Sequence, residues 1–198
     1  MGEADRTEGR EDKRCGSMSK EDVIIGIDPD IDRSGVAVLW TNERIMRVDK
    51  MRFPDMLDYI AKEAGNARSG GKTVAVYVEA GWLNASNWHV RPGMGARYNA
   101  SIGQAVGRNH AVGMKALEML VHMGVPASAV RPLPKTMRAG RGTISMWKGK
   151  DGKITEGELA GLLARNRIKA SPARMNQDQR DAALIALRAA GACIFPGL

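Results

Sequence analysis

Four carboxylates are spaced so that together they could do chemistry. Asp28 ends the apolar run that starts at Val23, and Glu79 ends "TVAVYV". Asp178 and Asp181 lie in "NQDQRDAALIAL", one helical turn apart, so they share a helix face. Each also has an ordinary structural reading. Asp28-Pro29 opens a turn, Glu79 is a solvated strand end, and acids in a first helical turn favour the positive end of the dipole. The combination is more informative. Carboxylates gathered at one sheet edge repel one another unless something neutralises them. Hard oxygen donors suit Mg²⁺ or Mn²⁺. Two such ions ~4 Å apart can activate a water and stabilise the leaving oxygen of a phosphodiester. Asp28, Asp30 and Asp32 also suggest a calcium loop, but that pattern needs Gly sixth and Glu twelfth, and Arg33 and Leu39 stand there.

These acids need elements to position them. Three strand-like runs come first, Val23–Asp28, Gly35–Trp40 and Arg44–Val48, with short turns that suit an antiparallel meander. "FPDMLDYIAKEAG" has helical spacing, with Gly65 as its stop. "TVAVYVEAG" reads as a strand. A long loop from Trp82 to about Ala96 leads to a helix from Asn99 to His122, and "ASAVRPL" is a short strand. Pro134–Lys153 reads as a Gly- and Lys-rich loop. Thr155 and Glu158 stand at capping-box spacing before a third helix, and a last helix runs from about Gln177 to Ala190. A meander followed by crossover units predicts an α/β fold with a mixed five-stranded sheet.

Composition bounds the class. The chain has 198 residues, 43% hydrophobic and 26% charged, enough for one domain with a substantial core. Residues 1–20 are polar and read as a disordered tail, leaving 21–198 as a single domain. No apolar run reaches the ~20 residues of a membrane helix, and the N-terminus lacks a signal-peptide core. The expectation is a protein inside the cell, in the cytoplasm or another DNA-containing compartment, and not secreted. Cys15 and Cys193 lie in opposite tails, which argues against a disulfide framework or a zinc site. The net charge is +8, and the tail is neutral with five basic and five acidic residues. The body carries the whole excess, which suits a polyanion partner.

The stretches "IIGIDPDIDRSGVAVL", "VYVEAGW", "SIGQAVGRNHAVGMKAL" and "DQRDAALIAL" together resemble the RuvC-like Holliday junction resolvases of the ribonuclease H-like superfamily. The resemblance covers roughly Val23 to Ala190. It implies a ribonuclease H-like sheet flanked by helices, two Mg²⁺ ions (or Mn²⁺) per site, and a homodimer that cuts branched DNA, above all four-way junctions. By position, Asp28 resembles the bridging metal ligand, Glu79 the second carboxylate, and Asp178 and Asp181 the closing pair. Lys135, in "RPLPKTM", resembles a lysine near the active site, and Lys153 resembles another. Trp82 falls where some resolvases have an aromatic that stacks at the junction. Gly35 stands where the family has a Gly just before its second strand. Asp30 departs from the pattern, which usually has Gly there; the expectation is a turn residue facing solvent.

Two segments mix cations with aromatics or glycines. "GWLNASNWHVRPGMGARYNAS" holds Trp82, Trp88, Arg91, Arg97 and Tyr98, which can stack bases and hold phosphates, or form a surface loop with a Trp packed beneath. "PKTMRAGRGTISMWKGKDGK" holds Lys135, Arg138, Arg141, Lys148, Lys150 and Lys153 against Asp151. Such charge serves phosphate contacts without a sequence code; the other reading is a solvated loop. Gly103, Gly107 and Gly113 suggest close helix packing, and by resemblance this helix is a dimer element. Three alternatives stay open: an enzyme acting on RNA–DNA hybrids, a flap or branch nuclease of low selectivity, and a junction-binding module without catalysis.

Overall fold

The computed structural model describes residues 20–84, 93, 95–139 and 142–194. Of the expected tail, only Lys20 falls within these ranges. The strands are β1 (Val23–Asp28), β2 (Ser34–Trp40), β3 (Ile45–Met51), β4 (Val74–Glu79), β5 (Ala127–Val130), β6 (Thr136–Ala139), β7 (Gly142–Ser145) and β8 (Lys169–Ser171). The helices are α1 (Phe53–Ser69), α2 (Ala96–His122), α3 (Glu156–Arg165) and α4 (Gln177–Ala189). Six strands form one sheet in the order β5-β4-β1-β2-β3-β8. Antiparallel pairing joins β2 to β1 and to β3, while the β1–β4, β4–β5 and β3–β8 pairs are parallel. The fold is therefore the expected α/β class, a mixed sheet flanked by helices, with six strands in place of the expected five. The added sixth strand is β8, in a connection between helices that gave no strand signal.

Period-two alternation decides which residues meet which helices. Val23, Ile25 and Ile27 of β1 join Val74, Val76 and Val78 of β4 in a core beneath α1 and α2. Ile24 of β1 and Ala37 and Leu39 of β2 point the other way, into a core with α3 and α4. The sheet is thus buried on both faces, as crossover helices require.

Glycines let α4 lie close to that second face. A Cβ on Gly26 would stand 2.5 Å from the carbonyl oxygen of Ala182, and one on Gly35 would stand 2.2 Å from that of Asp178. Both contacts are with helix backbone, which cannot swing aside as a side chain can.

Three local expectations are corrected. Gly65 does not stop α1, which continues through buried Ala67 and closes at Gly70 and Gly71, the latter at φ 68°. A glycine inside a helix costs only about 1 kcal/mol, and packing of Ala64 and Ala67 outweighs it. The segment read as a loop between Pro134 and Lys153 contains the β6–β7 hairpin. Met146 and Trp147, just after it, are buried in the α4-side core and anchor it. Of the three glycines in α2, Gly113 packs closely, under the Trp82 indole and Pro29, but Cβ atoms on Gly103 and Gly107 would meet nothing within 4 Å.

The capping box of α3 forms as its spacing predicts, with Thr155 as N-cap and Glu158 reaching back to its backbone N–H. Glu158 also accepts from the Lys148 backbone at 2.9 Å, tying the hairpin's exit to the helix start. Glu158→Ala removes both bonds and a third, from the Thr155 hydroxyl at 2.7 Å. Its expected cost is about 1–2 kcal/mol in urea-unfolding free energy. A second box, Asn176 with Gln179, starts α4.

Candidate active site

The same alternation aims the first two acids. Asp28 follows Ile24 and Gly26 on the α4 side of β1, and Glu79 follows Tyr77 on the matching side of β4. The parallel register pairs Ile27 with Val78, so Asp28 and Glu79 come next on adjacent strands. Asp178 and Asp181 descend from the first turns of α4, which crosses over Gly35 at this edge. All four carboxylates line one cleft of about 950 Å³.

Their electrostatics are those of crowded anions. Burial holds the Asp28 carboxyl well above the ordinary range, and the charges of Glu79, Asp181 and Asp178 push it further. Burial and then Asp181 raise Glu79 to about 7, against opposing pulls from Lys135, Lys153 and Arg188. Asp181 is also raised, chiefly by burial, with Lys153 and a hydrogen bond from Gln177 opposing. Gln177 Nε2 donates to Asp181 Oδ1 at 2.7 Å, and Lys153 Nζ stands 3.7 Å from Asp181 Oδ2.

A pH dependence of stability follows for the chain in chelator. The folded state holds these carboxyl protons more tightly than the unfolded state, where Glu79 titrates near 4.5. The stabilisation is therefore full below about pH 4.5 and is lost as pH rises through about 7. The expected fall in unfolding free energy between pH 5 and 8 is about 2–3 kcal/mol. Glu79→Gln flattens this slope. Denaturant unfolding at several pH values measures it.

As donors the four acids suit a hard divalent cation: all are oxygen ligands, and a cation would relieve the repulsion that adds to burial in raising three of them. They are not drawn together into a closed shell. Among the described residues, no three His, Cys, Asp or Glu side chains stand close enough to hold one ion as they are arranged.

Of the other sequence-predicted site residues, Lys135, Lys153 and Trp82 line the cleft. Trp82 combines both readings given to it. Its indole packs over Gly113 and meets the His110 ring edge-on at 6.2 Å between centroids, yet it also forms the cleft wall. Arg97 and Tyr98 are exposed at the start of α2 and do not line the cleft. Arg138, Lys148 and Lys150 are exposed on and after the hairpin. Trp88, Arg91 and Arg141 lie outside the described residues.

Several neighbours were not singled out in the sequence. Lys50 of β3 places Nζ 2.5 Å from Asp178 Oδ2. Asn109 of α2 donates to Asp30 Oδ2 at 3.2 Å and accepts from the Ile31 backbone at 3.0 Å. Asp30 also accepts from the Asp32 backbone at 2.9 Å. The expectation that Asp30 faces solvent is thus corrected: it is half-buried, lines the cleft and clips the loop after β1 to α2. Asp32 is an exposed turn residue as expected. A repeated signal for Lys50 exists only in the register, since Lys50 pairs with Gly35 and Gly35 with Asp28.

No family model matches the chain, and no curated protein matches it. Among solved structures it is similar to T. thermophilus RuvC in complex with Holliday junction substrate, at 19% identity and a TM-score of 0.42. That match covers 83% of this chain and 90% of the other.

Proposed function

We propose that this protein is a divalent-metal-dependent endonuclease that cuts branched DNA, with four-way junctions as its preferred substrate. The observation that carries the reading is the cleft itself, where four carboxylates from three separate elements face lysines on a basic protein. Asp28, Glu79, Asp178 and Asp181 would hold Mg²⁺ or Mn²⁺, two ions per site. Bound there, such ions supply activation of a water and stabilisation of the leaving oxygen. The remaining work falls to the chain. Lys135 and Lys153 meet the phosphate entering the cleft and offset charge on its oxygens. Trp82 offers an aromatic face to an unpaired base at the branch. Arg138, Lys148 and Lys150 extend the basic surface beyond the cleft, with affinity that falls as salt rises.

A homodimer suits paired cuts on opposite strands. Support for it is the open face of α2, where Gly103 and Gly107 leave space and Met114 and Val121 are exposed. Small residues beside exposed apolar ones suit a second helix.

The test is a panel of synthetic four-way junction, flap, duplex and RNA–DNA hybrid with Mg²⁺. Selective junction cutting is expected. Preferential hybrid or flap cutting would move the reading to the other nuclease classes. Salt-sensitive junction binding with no cutting under any divalent ion would leave a binding module.

A further inference from the structure

One carboxylate of the cleft is already paired with a cation from β3. Lys50 Nζ is bound to Asp178 Oδ2 at 2.5 Å, with both side chains 30% exposed. The contact is built into the sheet. Asp28, Gly35 and Lys50 form one rung across β1, β2 and β3, so all three face α4. Gly35 has no side chain to separate its neighbours from the helix, and the Asp178 backbone rests directly on it. Lys50 therefore reaches across an empty place in the rung to the carboxylate above. The Asp178 charge is the one it meets first, with Asp30 and Asp28 beyond.

We propose that Lys50 is a positioning residue that competes with a divalent cation for Asp178. This rests on the reading of the four acids as metal donors. Asp178 Oδ2 cannot serve the ammonium at 2.5 Å and a divalent ion at ~2.1 Å without bringing two cations together. Metal uptake through Asp178 Oδ2 displaces Lys50, so the lysine raises the concentration of metal at which that oxygen is engaged. It also keeps Asp178 neutralised and in place until then. Lys153 lies 3.7 Å from Asp181, a looser pair that a cation need not break.

The test is Mn²⁺ titration of the full chain without DNA, followed by calorimetry. Asp178→Asn identifies the binding step that uses Asp178. In Lys50→Met, which keeps the aliphatic stem, that step is expected to move roughly tenfold to lower Mn²⁺ concentration. Lys50→Arg keeps the charge and is expected to stay within about threefold of the parent. Circular dichroism checks that each variant is folded; if Lys50→Met is not, Lys50→Gln replaces it. An unchanged or weakened step in the charge-removed variant overturns the proposal, as does an isotherm that Asp178→Asn leaves intact. A parent chain that takes up no Mn²⁺ overturns both this inference and the metal reading beneath it. The expected shift without junction cutting upholds this inference and overturns the proposed activity alone.

Discussion

Asp28→Asn is expected to lower Mg²⁺-dependent junction cleavage by about 10³-fold or more while making the metal-free protein more stable. The two effects have one cause. Asp28 is the most crowded of the four acids, raised by burial and by the charges of Glu79, Asp181 and Asp178. Asparagine keeps the shape and removes the charge, so the repulsion around Glu79 and Asp181 relaxes. In chelator at pH 8, the expected gain is about 1–2 kcal/mol, or roughly 3–6 °C in Tm for a chain of this size. Cleavage falls because a neutral amide is a far weaker donor for a hard cation and the reaction depends on charge placed at the phosphate. Thermal unfolding and cleavage of a labelled junction measure the pair. A variant less stable than the parent in chelator would refute the account of the cleft as crowded anions. Full cutting by the same variant would refute the catalytic role.

Gly35→Ala is expected to disturb the cleft through a single methyl group. The new Cβ would stand 2.2 Å from the Asp178 carbonyl oxygen, 2.7 Å from its carbon and 3.3 Å from the Ala182 Cβ. Two of these atoms are helix backbone, so the first turn of α4 must retreat from β2. Overpacking of this kind costs about 1–3 kcal/mol, and backbone contact puts the expectation at the upper end. Retreat also lifts Asp178 and Asp181 from Asp28 and separates Asp178 from Lys50. A displacement near 1 Å at reacting groups costs about 10²-fold in rate. Gly26→Ala is the informative partner. Its Cβ would meet the Ala182 oxygen at 2.5 Å and the Ala186 nitrogen at 2.7 Å, further along α4 from the acids. Similar destabilisation but a smaller loss of cleavage is expected there. Equal losses in both variants would mean that Gly35 has no special relation to the acids.

Much of the fold was legible because its signals are local. β1 and β4 are β-branched runs that end in an acid, and period two fixes the face of its own strand on which each acid stands; the β1–β4 register then sets Asp28 and Glu79 side by side. The Thr155–Glu158 box is a three-residue pattern whose atoms meet within one helical turn. Signals failed where the deciding partner was distant. The β6–β7 hairpin is held by burial of Trp147 against α4-side residues, which no pattern within its Gly- and Lys-rich sequence reports. β8 has three residues and exists because β3 offers an open edge to Lys169–Ser171. Gly65 looked like a helix stop because its cost is local, whereas the packing that overrides it is not.

The chemistry on offer is written in the chain: four carboxylates at element ends, lysines between them, and a basic body. The order of the longer strands and helices was legible too, though not β6, β7 or β8, because hydrophobic period and capping act over a few residues. Which groups stand within bonding distance is settled by packing in three dimensions. Lys50 reaches Asp178 through the register of three strands, and Asp30 meets Asn109 from 79 positions away. The approach of α4 that makes the cleft depends on two missing side chains, at Gly26 and Gly35. Distances of this kind are set by packing between remote segments, and local periodicity carries no information about them.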